Sequence, residues 1–395
     1  MRKLKVLQTN KLYAPWIGGV ERVVQDIAEG LNAETEMTVL VCQGKGRGIQ
    51  EVYNGVRLIR CSSLGIKLSM PVSFSYIFEF ARYAKRSDIV HIHLPFPLAD
   101  IALFFSGYKG KLAVWWHSGI VRQKKLLALL KPWICGTLKR ADVIFVSSDV
   151  LADNSEFLKD YRDKCVTVPY GAVLPVGGCQ SANGYLRRRL NIESNKKVLF
   201  VGRLVYYKGI GVLTRAFREV RGAELFVVGT GILEEEVMRY VHAENIEDKI
   251  HFLGRLSDSE LKEAYADCDF LVLPSVAASE AFGLVQIEAM ARGKPVINTA
   301  LPTSVPFVSV NNETGITVEP GNIEQLNEAI QLLADDDGLR ERYGVNARRR
   351  VEGNFTMEEF LSKVYDKYME LVYGEESAYN GDYRAGRVVS GGTAD

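Results

Sequence analysis

Short runs of apolar residues alternate with stretches in which apolar positions recur every three or four residues. The alternation occurs twice along the 395-residue chain. In the first half, Lys5-Val-Leu-Gln-Thr9 precedes the amphipathic segment Val20–Ala28, and Thr38–Cys42, Asp88–His93, Leu112–His117 and Asp142–Ser147 read as further strands. Then the pattern restarts with Lys197–Gly202, Glu224–Gly229, Ile250–Gly254, Asp269–Pro274 and Pro295–Asn298. Continuous apolar strands separated by helices predict parallel sheets covered on both faces. Two such series predict an α/β protein of two doubly wound, Rossmann-like domains.

Val166–Ala172 and the Gly-rich stretch Pro175–Asn183 separate the series. They predict a first domain over 1–175 and a second over 176–355. Helices are expected near 323–334 and 337–351. The last amphipathic stretch, Met357–Leu371, is expected to form a helix within 356–372, and the polar tail 375–395 to be disordered.

Composition excludes several classes. At 47% hydrophobic and 25% charged residues the chain is ordinary for a globular protein. No apolar run is long enough for a membrane span, and the first residues lack the features of a signal peptide. The six cysteines, Cys42, Cys61, Cys135, Cys165, Cys179 and Cys268, form no CxxC pair, so thiols are expected rather than a zinc site or disulfides. The net charge of +1 divides into +9 for 1–180 and −8 for the remainder. That asymmetry suggests two domains and an anionic partner for the first.

The chemically suggestive residues fall at strand carboxyl ends, where ligands bind in open α/β sheets. Arg203 follows the first strand of the second series, and Lys208-Gly209 comes a short loop later, before a helix. Two cations there suit a diphosphate, the alternative being two solvated surface charges. Glu280 precedes, and Glu288 lies within, a helix expected to open at Gly283. Carboxylates suit sugar hydroxyls, although either acid alone reads equally as solvated. His91 and His93 share one strand face, but no further metal ligands are apparent, and His93 is a candidate for acceptor contact. Gly44-Lys-Gly-Arg-Gly48 lacks the spacing of a phosphate loop, and Trp115 and Trp116 read as core.

Taken together, Gly202-Arg203-Leu204-x3-Lys208-Gly209 and Glu280-x7-Glu288 resemble the donor site of the retaining glycosyltransferases of family 4, which have the GT-B architecture. Supporting pieces occur in order over nearly the whole chain: Gly18-Gly19-Val20-Glu21, Trp116-His117, Gly229-x-Gly231, Phe252-Leu253-Gly254 and Gly315-Ile-x-Val318-x-Pro320-Gly321. The resemblance implies two domains facing a central cleft, with the helix within 356–372 returning to the first domain. It implies that Arg203 and Lys208 hold the diphosphate of a nucleotide sugar, and that Glu288 binds the ribose. Glu280 would bind the transferred sugar, with Ala281, Phe282, Gly283 and Leu284 around it. Leu253 and Arg255 would flank the base, Gly18 and Gly19 would let backbone approach the donor, and His117 would lie near the reacting carbon.

By the same resemblance, transfer proceeds with retention and without a metal or separate cofactor. His117-Ser-Gly119 and Leu301–Ser309 are similar to bacterial O-antigen and capsule enzymes, many of which take mannose from GDP-mannose. Gly119 stands where an Asp often occurs in those relatives. UDP-linked glucose or N-acetylglucosamine is the alternative donor. A sugar-nucleotide epimerase and a non-catalytic binding module are further alternatives. The segment 122–140 carries six basic and no acidic residues among apolar ones. It reads as peripheral contact with an anionic membrane, aided by the aromatic stretch Ser73–Arg86, or else as an ordinary helix covering the sheet. Expected partners are therefore a nucleotide sugar, a polyprenyl-diphosphate-linked saccharide and the inner face of the cell membrane, with no nucleic acid.

Overall fold

The computed structural model describes residues 2–16, 18–67, 70–118, 124–175, 184–190 and 196–374. Expectations about Gly119, Cys179, the linker 176–183 and the tail 375–395 lie outside the described residues.

Tertiary contacts divide the chain into two compact units. The first comprises the described residues of 1–115, 132–145 and 357–374; the second comprises those of 116–131 and 146–356. Strands of the first unit are β1 (Leu4–Thr9), β2 (Thr35–Cys42), β3 (Ile49–Tyr53), β4 (Val56–Cys61), the short pair β5 (Ile66–Lys67) and β6 (Met70–Pro71), β7 (Ile89–Leu94), β8 (Lys111–Trp116) and β9 (Val143–Val146). Seven of them lie in one sheet in the order β9-β8-β7-β1-β2-β4-β3, and β5 pairs with β6 separately. Pairing is parallel between β1 and its neighbours β2 and β7, and antiparallel between β3 and β4. β3 and β4 were not anticipated. The pattern of β3 is exposed at most positions, so it lacks the apolar run that marks a strand covered on both faces. The loop 44–48 leads into this edge strand rather than a helix.

Following β10 (Cys165–Thr167), the second unit holds β11 (Lys196–Val201), β12 (Ala223–Val228), β13 (Ile250–Gly254), β14 (Phe270–Val272), β15 (Val296–Thr299) and β16 (Gly315–Val318). Its sheet runs β13-β12-β11-β14-β15-β16 with parallel pairing throughout. Val198, Phe200, Leu225 and Val227 from the strands pack with Leu213, Phe217, Leu326 and Ile330 from the covering helices. Local signals fix the helix starts. Ser257 accepts from the Glu260 N–H, and the Glu260 side chain returns to the Ser257 N–H, a capping box that opens the helix Asp258–Asp267. At the other end of that helix, Asp267 pairs with Lys197 at 2.7 Å while Asp269 accepts from the Lys197 N–H. Asp267-Cys-Asp269 thus staples the start of β11.

Contact grouping differs from the boundary read at 175/176, because 146–172 packs with the later chain. Ser147 and Ser148 hydrogen-bond Ser304 at 2.9 and 2.7 Å, and the Ala172 N–H donates to the Phe355 carbonyl. The final helix, Met357–Tyr373, completes the first unit. The Tyr368 hydroxyl meets His91 Nδ1 at 2.6 Å, and Phe360 lies 5.7 Å from Trp115. His91, His93, Trp115 and Trp116 are buried. His93 contacts Gln8 at 2.8 Å and stacks on His91, which places it in the core of this unit. Gly18 is the extended cap of the helix Gly19–Gly30, and a methyl group on it would strike the Glu21 carboxylate.

Asp100, in the helix Pro97–Ser106, is buried, and burial pushes its carboxyl up to about 7 against a smaller pull from Thr137. A carboxyl whose folded-state value is raised contributes stability that is complete below about pH 4 and is lost as pH rises to about 7. Asp100→Asn, which cannot ionise, should therefore gain on the wild type in Tm across that window and hold a constant advantage above it. Parallel melting curves from pH 4 to 8 check this, and a pH-independent difference would contradict it.

Candidate functional site

The second unit gathers Arg203, Lys208, Leu253–Arg255, Glu280–Leu284 and Glu288 on loops and helix starts that follow β11, β13 and β14. After β11, Gly202-Arg203-Leu204 leads into the one-turn helix Tyr206–Lys208. Gly209 then adopts φ 72°, and a methyl group there would lie 1.9 Å from the Pro274 carbonyl oxygen. Only glycine meets both demands. The close approach is sealed by the Val276 N–H donating to the Tyr207 carbonyl at 2.9 Å.

That approach brings acid and base together. Lys208 Nζ lies 2.6 Å from Glu280 Oε2, and both side chains are largely buried. The same oxygen accepts from the Ser275 hydroxyl at 3.0 Å. Charge-assisted bonds of this kind are short and strong when water is excluded. Arg203 is exposed and donates to the Tyr207 hydroxyl at 3.0 Å. The sequence reading gave Lys208 to a diphosphate and Glu280 to a sugar. Here each is the other's counter-ion, so a ligand entering between them must share or replace that pair.

The loop carrying Glu280 rests on a buried polar network. Gln286 donates to the Phe282 carbonyl at 2.8 Å, Asn298 donates to Gln286 Oε1 at 3.0 Å, and Thr317 donates to Asn298 Oδ1 at 2.7 Å. The Ser304 N–H donates to the Ala281 carbonyl at 2.8 Å. Networks satisfied at every link rigidify what they touch. Gly283 opens the helix Leu284–Met290, as the sequence predicts, and Glu288 lies on its second turn. Glu288 Oε2 accepts from the buried Tyr265 hydroxyl at 2.6 Å. Leu253 is buried, Gly254 has φ 65°, and Arg255 is exposed.

His117 is buried just beyond β8, with Nδ1 2.7 Å from the Tyr170 hydroxyl. Tyr170 in turn packs edge-on against Phe282 at 4.8 Å. A continuous chain of contacts therefore runs from His117 to the Glu280 loop. Gly18 and Gly19 belong to the first unit. Sequence reasoning missed Tyr170, Tyr207, Ser275 and Tyr265, which support the candidate residues. Each looks like an ordinary loop or core position, and nothing in its spacing marks it. Gly229 and Gly231 owe their identity to packing, since side chains there would strike the Gly202 and Leu204 carbonyls.

Two family models match the chain. Glycosyltransferase Family 4 covers 17–173 and Glycosyl transferases group 1 covers 185–350. O-antigen chain mannosyltransferase C of Escherichia coli is 29% identical over 93% of this chain and 99% of its own length. D-rhamnosyltransferase WbpZ of Pseudomonas aeruginosa is 29% identical over 89% of this chain and 92% of its own. Among solved structures, Anabaena Alr3699/HepE in complex with UDP superposes with a TM-score of 0.74 at 17% identity, covering 92% of this chain and 99% of its own. WaaG, a glycosyltransferase involved in lipopolysaccharide biosynthesis, gives 0.70 at 20% identity over 93% of this chain and its own full length. These likenesses show the GT-B fold.

Gly209→Ala combines a left-handed backbone with a backbone collision and should cost about 3 kcal/mol or more. A fall in Tm of roughly 5–10 °C is expected in scanning calorimetry. An unchanged Tm would show that the two loops need no close approach.

Proposed function

Because this chain belongs to the family 4 glycosyltransferases, we propose that it transfers a hexose, with retention, from a nucleotide sugar to a lipid-linked saccharide in the synthesis of a bacterial surface polysaccharide. GDP-mannose is the donor this reading favours. The buried Lys208–Glu280 pair beside Arg203 carries the proposal. It sets cations and a carboxylate side by side, as a sugar diphosphate requires. The near-full-length O-antigen chain mannosyltransferase relative supports the sugar and the pathway, and the rhamnosyltransferase relative supports glycosyl transfer.

In this reading Arg203 and Lys208 stabilise the negative charge that grows on the departing diphosphate. Cations set beside the leaving group lower the cost of that developing charge. They also remove the need for a metal or separate cofactor. Lys208 turns from Glu280 toward phosphate, and the freed carboxylate accepts from sugar hydroxyls while Ser275 keeps its position. Glu288 accepts from the ribose hydroxyls, and the backbone at Leu253–Arg255 meets the base. His117, held by Tyr170, contacts the sugar near the reacting carbon. The leaving phosphate oxygen takes the proton of the incoming acceptor hydroxyl.

A peripheral membrane position on the cytoplasmic face fits the acceptor. No helix among the described residues is long and apolar enough to cross a membrane. Phe74 and Phe78 lie at the start of the helix Ser75–Ala84, Phe104 and Phe105 lie on the neighbouring helix Pro97–Ser106, and all four are 65–75% exposed. Phe104 lies 5.1 Å from Trp133, on the basic helix Lys124–Arg140. Aromatic side chains beside cations suit an anionic lipid surface.

Three experiments test these readings. Glu280→Gln and Lys208→Met should each lower transfer by about 100-fold or more while the circular dichroism spectrum is kept. In the wild type, GDP and GDP-mannose should raise Tm more than UDP and its sugars. Stabilisation by uridine compounds alone would replace mannose by a UDP-linked sugar. For the membrane, replacing Lys124, Lys125 and Lys131 by Gln, or Phe104 and Phe105 by Ser, should weaken sedimentation with phosphatidylglycerol vesicles by about tenfold or more. Equal sedimentation of both variants and wild type would remove the docking surface.

A further inference from the structure

Glu288 is held from beneath. Its Oε2 accepts from the Tyr265 hydroxyl at 2.6 Å, and Tyr265 is buried on the helix Asp258–Asp267. Arg292 lies just beyond the helix that carries Glu288. It donates to the Glu288 carbonyl at 2.8 Å and places its guanidinium 5.7 Å above the Tyr265 ring. The carboxylate is therefore tied at one oxygen, its backbone is tied through Arg292, and the ring that ties the oxygen is covered by that same arginine. A glutamate on an exposed helix turn spreads over several rotamers, and fixing it costs side-chain entropy when a ligand arrives. One already fixed binds without that cost.

We infer that Tyr265 is a positioning residue for nucleotide recognition, orienting the Glu288 carboxylate so that it accepts from the vicinal hydroxyls of a ribose. The inference rests on Glu288 as the ribose ligand. Tyr265 touches no part of the nucleotide; it acts through the hydrogen bond it donates. Burial and the neighbouring Glu288 hold the phenol well above its ordinary range, so it remains a donor at every working pH. Selectivity for a ribonucleotide over one lacking the hydroxyls then depends on a side chain outside the ligand's reach.

The experiment compares affinities for guanosine diphosphate and 2′,3′-dideoxyguanosine diphosphate by titration calorimetry, with the uridine pair run alongside. In the wild type the ribonucleotide should bind more tightly. Tyr265→Phe should lower that preference by roughly tenfold, as for one hydrogen bond to a charged group, and leave the dideoxy affinity unchanged. Its donor KM should rise while kcat stays within about threefold. Should the phenylalanine variant fail to fold, 4-fluorophenylalanine at 265 fills the volume of the hydroxyl without donating and should give the same loss. A preference unchanged by either residue, but lowered by Glu288→Gln, overturns the role of Tyr265 and leaves the ribose reading standing. A preference unchanged by Glu288→Gln overturns both.

Discussion

The carbonyl oxygen of Pro274 lies so near Gly209 that no side chain fits between them. From that contact follow the hydrogen bond between Val276 and Tyr207, the meeting of Lys208 with Glu280, and the placing of Ser275 on the same carboxylate oxygen. The two loops leave neighbouring strands β11 and β14, so the sheet brings them close, and one missing side chain lets them touch. The charge pair is a consequence of backbone geometry. It persists because the loops that carry it cannot separate without exposing hydrogen-bonded backbone.

Around this pair the second unit is layered. Four charged side chains face the candidate ligand: exposed Arg203, half-buried Glu288, and the largely buried Lys208 and Glu280. Tyr207, Ser275 and Tyr265 support them, each donating to or accepting from one of these. Behind the Glu280 loop, Gln286 holds the Phe282 carbonyl and is itself held by Asn298, which accepts from Thr317. Buried polar groups satisfied in this way resist rearrangement. The site is therefore rigid where it holds the carboxylates and adjustable at Arg203, whose side chain is exposed.

Much of this was legible in the sequence. The strands β1, β7, β8, β11, β12 and β14 announce themselves because burial on both faces demands unbroken apolar runs. Gly283 and Glu288 were placed on their helix from spacing alone. Three things were hidden. β3 is an edge strand whose pattern follows solvent rather than a core. The Lys208–Glu280 partnership joins residues far apart in the chain, and only the order β11-β14 makes them neighbours. Tyr265 looks like any aromatic residue on a core-facing helix, and its role lies in a hydroxyl that periodicity does not register. Gly229 and Gly231 belonged to a recognised motif, yet they serve close packing against the β11 loop.

The closing of the first unit by the helix Met357–Tyr373 has a consequence for synthesis. His91 and Trp115 are made early, but their partners Tyr368 and Phe360 leave the ribosome after every strand of both sheets. Until then His91 and Trp115 have only their neighbours within the early unit, such as His93 and Phe145, and lack the cover of that helix. The later unit, through Thr356, has all its strands and covering helices already. The early unit therefore cannot be completed until the last helix is made, although most of its chain emerges first.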